Sequence, residues 1–528
     1  MTYTRDIRDG KNVYRYEVTS YWDKKRKAPR QKTKYLGKVV RGQNGEERVV
    51  KKHFFVDSIE RSMPVGDLAA YFRIAEELEL REIINGCCPK AGAEPGIPIL
   101  ALAFNQLAHR YSTARVGDWF DSTPMPGWFE TDLKLSQDIL LGALDSLCRR
   151  ENGGVAHYGW KVQREIVEAW KRTYGEDSRR LYYDVTRLRY HGDRCGLAER
   201  GRNSDSGERE VGVSLVTSQD SCFPVLCRPI PGARSDSLTV KDIVNSLWSW
   251  GIKRTTLIMD RGMVGTPNLG FAVEKGYDLL IGCPETSVDT LEAMGCWSDE
   301  EMMKPENVFK RKEKTYLYMK GHNGELLGVS GKFVTVLDPL TLAEERSERD
   351  WMMKELGSPQ TGAERRGELL KELGVSGFGS PETSDMGRLH TLELLKRRDG
   401  RFLLFSTRKR ISEADAFKWY FQKDEIEKAF RSLNNEAKMI PLRHRIEERI
   451  EAYLTVNFIA YLLLAVLQYK LRKKGCTRGL SDVMYEAGRI TQIDFLSKGR
   501  KRSTLVQPTH SQQGLMRLLG ISGMLPKT

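Results

Sequence analysis

At 528 residues the chain is long enough for about three domains, and with 40% hydrophobic residues it can bury real cores. A formal charge of +14 and a pI near 9.2 suit a polyanionic partner, nucleic acid first. Nine cysteines at irregular spacings, with no CxxC pair, speak against a disulfide framework and fit a reducing compartment.

The N-terminus, MTYTRDIRDGKNVYRY, has no apolar signal core. Residues 1–58 alternate at Tyr14, Tyr16, Val18 and Ser20, pass through a basic turn and resume at Lys34, which predicts short antiparallel strands with a hairpin. Lys24, Lys25, Arg26, Lys27, Arg30, Lys32 and Lys34 crowd that connection. They make either a solvated loop or a phosphate-contacting ribbon. From 59 to 176 the periodicity is helical, around Gly66–Leu80, Ile99–His109, Ser136–Arg149 and Tyr158–Arg172. This helical domain suits DNA-end recognition or dimerisation, and the sequence does not choose between them.

Residues 177–284 carry the sharpest pattern. Arg180–Leu188 reads as a strand with Tyr182, Asp184 and Thr186 on one face. His191 and Cys195 have a loose metal-ligand spacing with no second pair, so no zinc site is expected there. Val211–Thr217 and Cys222–Ile230 make two further strands, and Ser237 is read as the cap of a helix ending at Gly251. Thr255–Met259 is a nearly continuous apolar run, as in a strand buried on both faces, and it ends at Asp260. Thr266 is read as the cap of a helix with Pro267 at its first position. Tyr277–Gly282 is a fifth strand. The order is therefore three strands, helix, strand, helix, strand.

Between 285 and 399 strand-like pieces, Lys314–Met319 and Gly331–Val336, alternate with charged helical stretches. The Gly374–Pro381 loop contains GVSGFG without a following Lys-Ser/Thr, which excludes a P-loop. Arg401–Phe405 is a strand. Ser412 with Asp415 then signals a helix start. In the helix that follows, Trp419, Ile426, Phe430 and Leu433 form an apolar stripe, while Tyr420, Glu427 and Asn434 lie seven apart on another face. Lys423 and Arg431 flank Glu427 at i−4 and i+4. Ala452–Leu467 is apolar but, at about 16 residues, too short to span a bilayer; it predicts a core helix, and no membrane partner is expected. Residues 471–528 form a basic C-terminal region.

The spacing Tyr420-x2-Lys423-x3-Glu427-x6-Asn434 resembles the Tyr-Arg-Glu-Lys signature of the insertion-sequence DDE transposases, with Lys for Arg and Asn for Lys. The words YYDVT around Asp184, DRGM around Asp260, IEKAFRSLN and IPLRHRIEERIEAYL resemble the same family. The resemblance implies an α/β ribonuclease-H-like fold: a mixed five-stranded sheet with flanking helices in which the first and fourth strands are neighbours. Its catalytic core would comprise residues 177–284 and 400–470, interrupted by an insertion domain at 285–399.

With no targeting or membrane-spanning segment evident, a cytoplasmic protein is expected. The resemblance further implies an enzyme that nicks each transposon end with water and transfers the freed 3′-hydroxyl into target DNA, with a hairpin as one route. Asp184, Asp260 and Glu427 would be the catalytic and metal-holding carboxylates for two Mg²⁺ ions, which Mn²⁺ can replace. Tyr420, Lys423, Arg431, Asn434 and Arg261 would face the DNA. In some relatives a flipped base stacks on a Trp of the insertion; Trp297 and Trp351 stand in that stretch, and Trp297 joins the DNA-contact set. Synapsis of two ends implies a homodimer on DNA. Two rivals stay open: a ribonuclease-H-like nuclease without strand transfer, and an inactive DNA-binding derivative.

Overall fold

The computed structural model describes residues 2–10, 12–23, 27–41, 47–50, 56–88, 94–192, 194–200, 208–263, 265–284, 288–312, 315–373, 396–422 and 444–527. The chain forms two compact units. One comprises Met1–Gly66, Glu486–Gly514 and Ser522–Thr528; the other comprises Asp67–Tyr485 and Leu515–Ile521.

In chain order the strands are β1 (Thr2–Asp9), β2 (Asn12–Asp23), β3 (Ala28–Arg41), β4 (Glu47–Val50) and β5 (Ser58–Pro64), then the short pair β6 (Arg149–Glu151) and β7 (Gly154–Ala156). Next come β8 (Arg180–Arg189), β9 (Glu199–Arg200), β10 (Arg209–Ser218), β11 (Pro224–Pro231), β12 (Thr256–Met259) and β13 (Asp278–Gly282). The remainder are β14 (Val308–Lys312), β15 (Thr315–Leu326), β16 (Val329–Leu337), β17 (Arg401–Ser406), β18 (Thr491–Ser497) and β19 (Arg500–Leu505).

The smaller unit holds two sheets. β1-β2-β3-β4 is antiparallel throughout. In the other sheet β5 pairs with the C-terminal hairpin β18–β19, so that residues from the two ends of the sequence share one sheet.

The larger unit is mixed α/β and is built on one large sheet. Its order is β11-β10-β8-β12-β13-β17-β16-β15-β14, with β9 added beside β10. β8, β12 and β13 run parallel; β10 on one side and β17 on the other are antiparallel to them, and β11, antiparallel to β10, runs in the direction of β8 again. The expectation of five strands is corrected here to ten. β17 presents a second edge, which takes β16, and the long β15–β16 hairpin carries the sheet on to β14. The strands from the stretch expected as an insertion therefore continue the central sheet.

The expected helices appear at Gly66–Glu77, Gly96–Ala108, Gln137–Leu147 and Tyr158–Tyr174. Two expected caps move. Ser235, not Ser237, precedes the helix Asp236–Ser249, and Gly265 precedes the helix Thr266–Glu274, putting Thr266 and Pro267 inside its first turn. The apolar run lies within one helix, Glu447–Lys473, which is long and apolar enough to cross a membrane. Of its most apolar window, however, 94% is buried inside the protein. It packs on β11 and on the helices Gly96–Ala108 and Tyr158–Tyr174.

Candidate active site

Two strands set the geometry. β8 and β12 are parallel neighbours with Met259 beside Tyr183. The next residues, Asp184 on β8 and Asp260 just past β12, therefore lie at adjacent positions on strands about 4.8 Å apart. Both are half-buried. Each carboxylate is turned by its own backbone: Asp184 Oδ1 accepts from Val185 N–H at 2.8 Å, and Asp260 Oδ1 accepts from Arg261 N–H at 2.8 Å.

A helix over Glu413–Phe421 crosses this face of the sheet. Its start is capped as the sequence predicts, Ser412 Oγ accepting from Asp415 N–H at 3.0 Å. Ala416, Phe417 and Tyr420 are its buried side chains. Of the expected apolar stripe only Trp419 is described; Ile426, Phe430 and Leu433 lie outside the described residues. Trp419 is half-buried, with the Arg180 guanidinium 4.7 Å from its ring centroid and that of Arg408 at 5.6 Å.

Burial of Tyr420 brings its hydroxyl to the carboxylates, where it donates to Asp260 Oδ1 at 2.9 Å. Burial and the negative charge of Asp260 push the phenol well above its usual pKa, against the opposing pull of Arg261. The phenol is therefore a protonated donor across the neutral range. Room for the ring comes from Gly282 on β13, where a Cβ would stand 3.0 Å from Tyr420 Cζ.

Three more contacts fix the helix. Tyr182, on the Asp184 face of β8, donates to the Trp419 carbonyl at 2.7 Å. Gln219 Nε2 donates to Gln422 Oε1 at 2.6 Å. Lys332 of β16 donates to the Ile411 carbonyl and pairs with Glu413, each at 2.8 Å. Sequence reasoning missed all three, because each joins positions far apart in the chain.

Asp184, Asp260 and Tyr420 are thus brought to one place. Arg261 is exposed at the head of a short 3-10 turn, Arg261–Met263, directly after Asp260. Glu427, Lys423, Arg431 and Asn434 lie outside the described residues. Trp297 sits elsewhere, packed on Met302, Leu337 and Leu342, with Lys320 Nζ 3.7 Å from its ring centroid. Its carbonyl accepts from Arg401 at 2.8 Å. Trp351 is 55% exposed.

One other ligand-type cluster forms among the described residues: Cys148, His157 and Glu451. Buried Glu451 takes a bond from His157 Nδ1 at 2.6 Å, and His157 stacks on Trp160 at 3.9 Å. The far side of Trp160 carries Arg228, 3.7 Å from the ring centroid. A buried carboxylate is here matched by an imidazole and, past an aromatic ring, by a guanidinium.

The transposase DDE domain matches residues 175–463, more than half of the chain. The chain belongs to the DDE transposase family. The protein is accordingly a transposase, an enzyme of DNA transposition, and the matched stretch contains Asp184, Asp260 and the Glu413–Phe421 helix. Among solved structures, the transposase is similar to a cryo-EM structure of the piggyBac transposase synaptic complex with hairpin DNA. The identity is 11% and the TM-score 0.38, over 81% of this chain and 79% of that one. No curated protein matches. Members of the family are generally dependent on divalent metal. The two carboxylates suit such an ion: they are hard oxygen donors, side by side and already oriented by their own backbone.

Proposed function

We propose that this transposase belongs to the Tyr-Arg-Glu-Lys signature group and moves an insertion sequence by cut-and-paste transposition. In this reading β11-β10-β8-β12-β13 is a ribonuclease-H-like core whose sheet is extended by the 285–399 stretch. The observation that carries the reading is the bond from Tyr420, the first residue of the signature, to Asp260. It brings the signature helix to the two aspartates across 160 residues of sequence.

Asp184, Asp260 and Glu427 would hold two Mg²⁺ ions, with Mn²⁺ able to substitute. When bound, such ions supply an activated oxygen nucleophile and relief of charge on the leaving oxygen. The side chains supply the rest. Asp184, Asp260 and Glu427 would each offer carboxylate oxygens to such ions. Tyr420 keeps the Asp260 carboxylate turned toward its ligand position. Arg261, Lys423 and Arg431 neutralise phosphates of the DNA, and Asn434 donates to it without charge. Water first frees a 3′-hydroxyl at each transposon end, and that hydroxyl then attacks target DNA, with a hairpin as one route to second-strand cleavage. Pairing of two ends calls for a homodimer on DNA, and the reaction takes place in the cytoplasm.

Cleavage of a duplex carrying the native element end, by wild type and by Asp184→Ala in Mg²⁺ or Mn²⁺, tests this. Wild type should cut at the end and join its 3′ strand to a second duplex, while Asp184→Ala binds and does neither. Equal cutting by both proteins removes Asp184 from the site. Cutting without joining leaves a nuclease. Binding without cutting by either protein leaves a DNA-binding derivative.

A further inference from the structure

We propose that one face of the N-terminal sheet β1-β2-β3-β4 docks in the major groove of duplex DNA and reads it. The proposal rests on the DNA substrate of the proposed function but not on its catalytic chemistry.

The first support is charge. Residues 1–41 contain thirteen Lys and Arg against four Asp and Glu, so much of the excess charge of the chain sits in this segment. A surface of that sign attracts the phosphate backbone of a duplex.

The second support is exposure. All eight residues of β1 are exposed, as is β3 over most of its length. Large rings stand in solvent as well: Trp22 is 61% exposed and Tyr21 48%. A sheet that served only as a structural layer would bury one face.

The third support is how the register sorts the side chains. Glu17 lies opposite Lys34, Thr19 opposite Lys32, and Tyr21 opposite Arg30. These six therefore share one face. The other face gathers Tyr3, Tyr16 and Tyr35 about buried Val18, with Tyr16 and Tyr35 edge to face at 5.4 Å. One side thus carries three tyrosines about Val18, while the other, beside Tyr21, presents long donors, an acceptor and a threonine methyl. Those are the groups that distinguish base edges: Lys and Arg for guanine, Glu for the cytosine amine, Thr for the thymine methyl.

Dimensions agree. Residues two apart on a strand are about 6.8 Å apart, close to two base-pair rises of about 3.4 Å. The major groove admits a two-stranded ribbon, and the β2–β3 hairpin is one.

The test measures binding of the full-length transposase without metal to a duplex carrying the element end, a shuffled duplex and the single strands. Three proteins are compared: wild type, Lys32→Ala/Lys34→Ala, and Arg5→Ala/Lys38→Ala, which removes the same charge from the opposite face. Thermal melts check that all three fold alike. The Lys32/Lys34 pair should lose at least about tenfold in affinity for the end duplex, more than for the shuffled one. The opposite-face pair should stay within about twofold to threefold of wild type. Equal losses in the two pairs would mean that only bulk charge counts, and would overturn the inference, as would wild-type affinity in Lys32→Ala/Lys34→Ala. Preference of wild type for the single strands would overturn the duplex reading. A wild type that binds no duplex at all would remove the DNA substrate, and the proposed function with it. Tight wild-type binding without metal-dependent cleavage would count against the catalytic reading alone.

Discussion

A single phenol ties the Glu413–Phe421 helix to Asp260. Tyr420 donates to Asp260 Oδ1 at 2.9 Å while Arg261 N–H holds the same oxygen at 2.8 Å. Removing the hydroxyl leaves the ring in its pocket beside Gly282 and Phe402 but loosens the carboxylate. Partners that orient a metal-holding group are worth roughly 10–100-fold in metal affinity or activity. Tyr420→Phe should therefore cut end-cleavage by that range and raise the Mg²⁺ concentration needed for half-maximal rate. Its stability should drop by only about 1 kcal/mol. Unchanged metal dependence would mean that the bond is structural. The sequence made part of this legible. Asp184 and Asp260 stand out because each sits in or at the end of a strand pattern, and Tyr420 because of its spacing to Glu427. The contact itself was not legible. Helical periodicity places Tyr420 on an angle around its own axis, and only the sheet decides which angle is buried.

At the scale of elements, the Glu413–Phe421 helix is positioned from both ends of its first turn. Ser412 Oγ accepts from Asp415 N–H at 3.0 Å and donates to Asp415 Oδ2 at 2.7 Å. Lys332, from the strand β16 added beyond β17, holds the Ile411 carbonyl and Glu413. The extended sheet therefore supports the start of the helix that brings Tyr420 to Asp260. An N-cap hydroxyl is typically worth about 1 kcal/mol. Ser412→Ala should lower the unfolding free energy by that amount and reduce cleavage, whereas Ser412→Thr, which keeps the hydroxyl that both accepts from and donates to Asp415, should restore both. Full activity in the alanine variant would show that Lys332 and the sheet hold the helix unaided. The cap was readable in the sequence because capping is local. The partnership of β16 with β17 was not, because alternation along a strand specifies its two faces and leaves its edges unspecified.

For the molecule as a whole, buried protons set the alkaline limit of stability. All nine cysteines are free, and seven of them are buried. Burial pushes the Cys87 thiol up to about 11 and the Cys227 thiol up to about 12, from an ordinary value of 9.0. Burial likewise raises Tyr182 and Tyr183 above the usual phenol value of 10.0. Below about pH 9 the native and unfolded chains both keep these protons, and the groups contribute no slope. Above it the unfolded chain releases protons that the native chain retains, so stability falls as pH rises. Each thiol costs about 1.4 kcal/mol per pH unit until its own native value is passed. Urea unfolding under reducing conditions should therefore give a midpoint nearly flat between about pH 7 and 8.5 and falling steeply from about pH 9 to 10. Cys227→Ala should make that fall shallower by the share of one thiol. A flat midpoint through pH 10 would mean that these thiols and phenols ionise as readily in the native protein as in the unfolded chain. Their burial would then be looser than a core at 3% exposure for Cys227 and 1% for Tyr182 implies.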